Sequence, residues 1–145
     1  MPHSPRLYGN ELWVLESGRG TLARVDRRNG SLDTVGEFSG FTRGLDFSGN
    51  LAFVGLSQVR QSNVFGGLPL TDRLPEEERF CGIQVLNLET GQREAFLKFE
   101  SGVQEIFAVQ VLHGIRYPTI LEDDDPLVKT SYTLSEEALT QVRKD

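Results

Sequence analysis

Gly9-Asn10-Glu11-Leu12-Trp13-Val14-Leu15 and Gly49-Asn50-Leu51-Ala52-Phe53-Val54-Gly55 are two versions of one pattern, a Gly-Asn turn followed by a short run of large and β-branched apolar residues. Gly-Asn between apolar runs is a hairpin signal. A second correspondence follows downstream, where Leu22-Ala23-Arg24-Val25-Asp26-Arg27-Arg28-Asn29-Gly30 matches Ile83-Gln84-Val85-Leu86-Asn87-Leu88-Glu89-Thr90-Gly91. Each ends on Asp or Asn with Gly four residues later, a spacing that suits a turn in which the Asx side chain bonds the backbone ahead and Gly takes positive φ. Strands are expected after these turns at 31–38 and 92–99, and inner strands ahead of the Gly-Asn turns at 6–8 and 44–47. The repeat therefore holds about four strands in about 40 residues, the second copy being lengthened by an insertion at 58–79.

Both faces of the strand after Gly-Asn are apolar: Leu12 and Val14 on one, Trp13 and Leu15 on the other. Such a strand needs cover on both sides, so sheet must stack on sheet. The expected fold is all-β, with two four-stranded antiparallel β-propeller-type blades, an extra inner strand at 106–112 and a short C-terminal helix. A single antiparallel β-sandwich of about eight or nine strands is the alternative. A propeller ring takes about four to eight blades, so this chain cannot close a ring alone. It is expected to be a homo-oligomer, or to require the missing blades of a longer chain, because an uncovered apolar face marks an interaction surface.

The chain has 145 residues, 16.2 kDa and a formal charge of −6, with 15 glycines. That length suits one domain, read as blades over 1–118 followed by an acidic linker and short helix over 119–145. The acidic balance argues against nucleic acid as a partner. Cys81 is the single cysteine, read as a small buried hydrophobe. No apolar run reaches membrane-span length, and the first six residues lack a secretory stretch, so no membrane and a cytoplasmic location are expected.

Met1-Pro2-His3-Ser4-Pro5-Arg6, Gly40-Phe41-Thr42-Arg43-Gly44-Leu45, Gly55-Leu56-Ser57 with Arg60, Phe65-Gly66-Gly67-Leu68-Pro69-Leu70 and Val103-Gln104-Glu105-Ile106 together carry a resemblance. They look like a bacterial family known as domain of unknown function 4915, over about residues 1–118, in the C-terminal portion of a longer chain. The resemblance implies propeller blades and transfers no catalytic residue.

The 58–79 insertion is expected to run as a loop, pinned on its own blade by Phe65 and Leu68 or lying over one face as a lid. Glu122-Asp123-Asp124-Asp125-Pro126 reads as a solvated acidic turn, and Thr133-Leu134-Ser135-Glu136 as a capping box opening a helix through Val142.

Side chains from successive inner strands should converge at a channel mouth. His3, Arg6, Arg43, Arg60, Gln104 and Glu105 are the candidate ligand-binding residues. Arg6 and Arg43 suit a small anionic ligand, or else fasten neighbouring blades, and Glu105 would orient them or act as a base. His3 and His113 lack metal-ligand spacing, so no metal or other cofactor is expected. No nucleophile elbow, zinc-hydrolase motif or phosphate loop is present, and no catalytic residue is assigned. Two functions follow: a self-associating propeller-type module for ligand or protein binding, or a propeller-type hydrolase or lyase acting on an anionic or sugar-derived small molecule.

Overall fold

The computed structural model describes residues 2–58, 67–123, 125–130, 135 and 137. Strands β1 (Pro2–Tyr8), β2 (Glu11–Glu16), β3 (Thr21–Val25) and β4 (Leu32–Glu37) form one antiparallel sheet in that order. Strands β5 (Phe41–Ser48), β6 (Leu51–Ser57), β7 (Gly82–Asn87) and β8 (Arg93–Lys98) form the second. The all-β pair of four-stranded antiparallel units expected from the repeat is thus what the chain forms. Each sheet is a meander of consecutive strands, without the strand exchange of a Greek-key sandwich.

Local chemistry accounts for the turns. Tyr8 pairs with Glu11 and Ser48 with Leu51, so both Gly-Asn pairs are two-residue hairpin loops. At the first, Gly9 and Asn10 are both left-handed (φ 57° and 62°); at the second, only Gly49 is (φ 58°). The same dipeptide therefore serves two primed turn geometries, which differ by a flip of the central peptide. The carbonyl of that peptide, Gly49 O, accepts a hydrogen bond from Tyr8 Oη at 2.7 Å. The two Asx-Gly turns form as expected. Arg28 N donates to Asp26 Oδ1 at 2.8 Å and Glu89 N to Asn87 Oδ1 at 3.0 Å. Gly30 and Gly91 take φ of 76° and 69°.

The sheets stack with β1 and β2 against β5. Trp13, Leu15 and Leu22 from the first sheet, with Phe38 just beyond β4, bury against Leu45, Phe47, Ala52, Val54, Leu56 and Leu86 from the second. Tyr8 lies flat on Phe47 with ring centroids 4.5 Å apart, and Trp13 tilts onto the same ring at 5.6 Å. At the rim, the backbone of Gly36 passes so close to Leu86 that a Cβ there would lie 2.7 Å from Leu86 Cδ2. Arg93 donates across to Glu37 O at 3.1 Å.

Residues 103–112 join neither sheet as a strand, which corrects the expected third inner strand at 106–112. They lie across β5 and β6 instead, where Gly44 and Gly55 leave room for the backbone of Ala108 and Val109 and the side chains of Ile106 and Val109. Two of the attachments run through side chains. Ser57 Oγ accepts from Ile106 N at 2.9 Å, and Asp46 Oδ2 accepts from Val111 N at 2.7 Å. A segment seated on a sheet's face cannot share its ladder, because the backbone groups of β6 are already taken by β5 and β7.

In the insertion, residues 59–66, which include Arg60 and Phe65, lie outside the described residues. The remainder is not a plain loop. Helix α1 (Pro69–Arg73) starts with Pro at its first position, where no donor is lost, and a 3-10 turn follows at Glu76–Glu78. Leu70 is fully buried beside Gly20, and its N–H donates to Gly18 O at 3.0 Å. Leu68 packs at Gly18, in the β2–β3 turn of the first sheet, so the insertion reaches across to the neighbouring sheet, which corrects the expected pinning of Leu68 on its own blade.

The chain divides into two compact units, Met1–His113 and Gly114–Asp145. The second holds helix α2 (Pro126–Thr130), which the sequence reading did not place. Asp125 Oδ1 caps it by accepting from Leu127 N at 2.8 Å, so the last acidic residue of the run is a helix cap. The capping box and helix expected from Thr133 fall outside the described residues, apart from Ser135 and Glu137. Among the described residues, no helix is long and apolar enough to cross a membrane.

Candidate functional site

The first strand of each sheet is bulged at the same place in the repeat: β1 between His3 and Arg6, β5 between Thr42 and Leu45. Ser4 and Gly44, forty residues apart, are the left-handed residues of these bulges, with φ of 49° and 81°. A serine at that φ is uncommon, and its side chain has work there: Ser4 Oγ accepts from Gly44 N at 3.0 Å. Bulges aim side chains away from the plain alternation, and they gather next to binding sites.

Between the bulges and the 103–112 segment lies a cavity of about 240 Å³, lined by Ser4, Pro5, Arg6, Gly44, Leu45, Phe107, Ala108 and Val109. Arg6 Nε donates to Leu45 O at 3.1 Å, so this guanidinium ties one sheet to the next while lining the cavity. Arg43 sits with its guanidinium carbon 4.3 Å from the centroid of the Phe107 ring. Phe107 is largely exposed, so the pair forms a flat cationic and aromatic wall at the surface.

The remaining candidates lie around this centre. His3 is half-buried opposite Leu15. Gln104 is exposed, and its carbonyl accepts from Gln58 N at 3.0 Å. Glu105 lies near enough to Cys81 for its charge to act on the thiol. Burial first, and Glu105 second, push that thiol above its ordinary value. The structure thus gathers Arg6 at the cavity and Arg43 at its Phe107 wall, and places Glu105 within electrostatic reach of Cys81. Among the described residues, no three His, Cys, Asp or Glu side chains group as a metal centre would need. Sequence reading missed Ser4 and Phe107. The forty-residue offset that aligns Gly9 with Gly49 also aligns Ser4 with Gly44, which was the available signal for the bulge.

The model of a family described as DUF4915, a domain of unknown function, matches residues 1–121. The chain belongs to this family. The DUF4915 match takes in both sheets, both bulges and the 103–112 segment, so every residue lining the cavity falls within it. No curated protein matches the chain.

Proposed function

We propose that the chain is a self-associating β-propeller-type module that binds a ligand or a protein, its two sheets acting as blades completed by blades of further copies. The observation that carries this is a row of side chains in register across the first sheet, Leu7, Leu12, Val25 and Leu32, on the face turned away from the second sheet. Leu7 is 65% exposed and Leu32 46%. The matching row of the second sheet, Phe47, Ala52 and Leu86 ending at Arg93, is the surface on which the first sheet packs, and its three apolar members are at most 3% exposed. The chain therefore carries its own example of what covers this face: another four-stranded sheet. A head-to-tail contact of that kind closes into a ring when the rotation allows.

Ligand binding in this reading centres on the cavity between the bulges. Arg43, stacked on Phe107, is the group offered to a small anion, and Arg6 is held to Leu45 O. Sedimentation at micromolar concentration tests the assembly. The expected result is a mass that is a whole multiple of 16.2 kDa, reduced toward the single chain by Leu7→Asp with unchanged circular dichroism. A wild-type chain that sediments as a monomer would overturn the proposal.

A further inference from the structure

The second sheet departs from the first at two positions that face the same space. Where the first sheet has Ala23 paired with Thr34, the second has Gln84 paired with Phe96. Gln84 is 6% exposed, and its Oε1 has no hydrogen-bond partner among the described residues. Phe96, beside it, is 71% exposed. A buried carboxamide oxygen without a partner and an aromatic ring left in water are both unfavourable for folding alone, and the repeat shows that the fold does not require either.

Both residues line a groove of about 540 Å³ with Ser39, Glu78, Phe80, Arg93, Glu94 and Ala95. Phe80 meets Phe96 edge-on with centroids 6.4 Å apart, giving the groove two aromatic walls. It is fixed at both ends: Phe80 N donates to Ser39 O at 3.1 Å, and Arg93 donates to Glu37 O at 3.1 Å. The charged residues along it are Glu78, Arg93 and Glu94, of which Glu94 accepts from Asn87 Nδ2 through Oε1 at 3.0 Å. Aromatic walls, an excess of negative charge and an unsatisfied carboxamide oxygen describe a receptor for a planar cation rich in N–H donors.

We propose that this groove binds a guanidinium, the arginine side chain of a peptide presented by a partner protein. The guanidinium plane stacks on Phe96, its N–H groups reach the Gln84 carboxamide, and Glu78 and Glu94 balance its charge. A guanidinium fits better than an ammonium because it is flat, less strongly hydrated and carries more donors in fixed directions.

The test is titration of the full chain with acetyl-Gly-Arg-Gly-amide, followed by the Gln84 side-chain and Phe96 amide NMR signals. Peptides with citrulline or lysine in place of arginine run alongside. Arginine is expected to bind at least about tenfold more tightly than citrulline, its neutral isostere, and more tightly than lysine. Phe96→Ala removes an exposed ring, and Gln84→Ala installs the residue found at the matching place in the first sheet, so both variants keep the fold. Each is expected to weaken binding at least about fivefold. Equal binding of the citrulline peptide, binding of lysine as tight as arginine, undiminished binding by both variants, or no shift at Gln84 and Phe96 would each overturn the assignment.

Discussion

Gly44 shows how much a single position can carry. Its φ of 81° disfavours any side chain, and a Cβ there would stand 2.7 Å from Val109 N. Gly44→Ala is expected to cost about 1–3 kcal/mol in urea unfolding and to loosen the 103–112 segment with it. Gln84→Ala should act in the opposite direction. Removing the unpartnered amide oxygen is expected to stabilise the fold by about 1 kcal/mol, measured the same way, because the desolvation cost of Oε1 disappears. Cys81 sets a pH dependence. Its thiol is raised in the folded chain by burial and by Glu105, so between the unfolded and folded values the unfolded chain has lost the proton that the folded chain retains. Stability from this group is therefore complete below the unfolded value and falls as pH rises through the raised one. Cys81→Ala should flatten the alkaline side of a plot of urea midpoint against pH. Alignment of the two repeats already paired Ala23 with Gln84, but sequence alone could not show that Gln84 faces inward without a partner. Burial of one residue depends on where the other sheet ends.

At the scale of elements, what was legible was what local chemistry decides. Gly9-Asn10, Gly49-Asn50, Asp26 with Gly30 and Asn87 with Gly91 are turns by their own side chains and φ preferences, and all formed as read. The 106–112 run is as apolar as a strand, yet its conformation is decided by distant glycines 44 and 55 and by Ser57 and Asp46, which no local window contains. Helix α1 was missed for a similar reason: five residues cannot hold a helix by propensity, and this one is held by Leu70 under the turn at Gly18 and Gly20. Leu70→Ala is expected to cost about 2–4 kcal/mol and to make the insertion a preferred site of proteolysis. Tyr8→Phe removes the donor to Gly49 O. It is expected to cost about 1 kcal/mol and to shift the second Gly-Asn loop toward the geometry of the first, seen as a move of Asn50 to positive φ in backbone NMR.

For the molecule as a whole, periodicity announced two stacked sheets because apolar residues on both faces of one strand leave no other arrangement. It could not announce the site. Arg6 and Arg43 were legible as cations at the ends of inner strands, while the ring beneath Arg43 and the hydroxyl linking the bulges follow from a register that only the stacked sheets define. The association proposed from the Leu7 to Leu32 row carries its own signature. A contact made of leucine and valine should change its dissociation constant by less than about threefold between roughly 0.05 and 0.5 M sodium chloride, whereas one held by exposed ion pairs would weaken steeply. Sedimentation across that salt range checks it. The Ser4 hydroxyl on the Gly44 amide ties the two sheets where β1 meets β5, and Leu86 against Gly36 fixes how closely they approach where β4 meets β7. In the proposed ring, two such fixed points would set the angle between successive sheets, and identical wedges fill a circle only in whole numbers. Trimming Leu86 to valine would then act as a change of gearing, altering how many sectors fit around the hub.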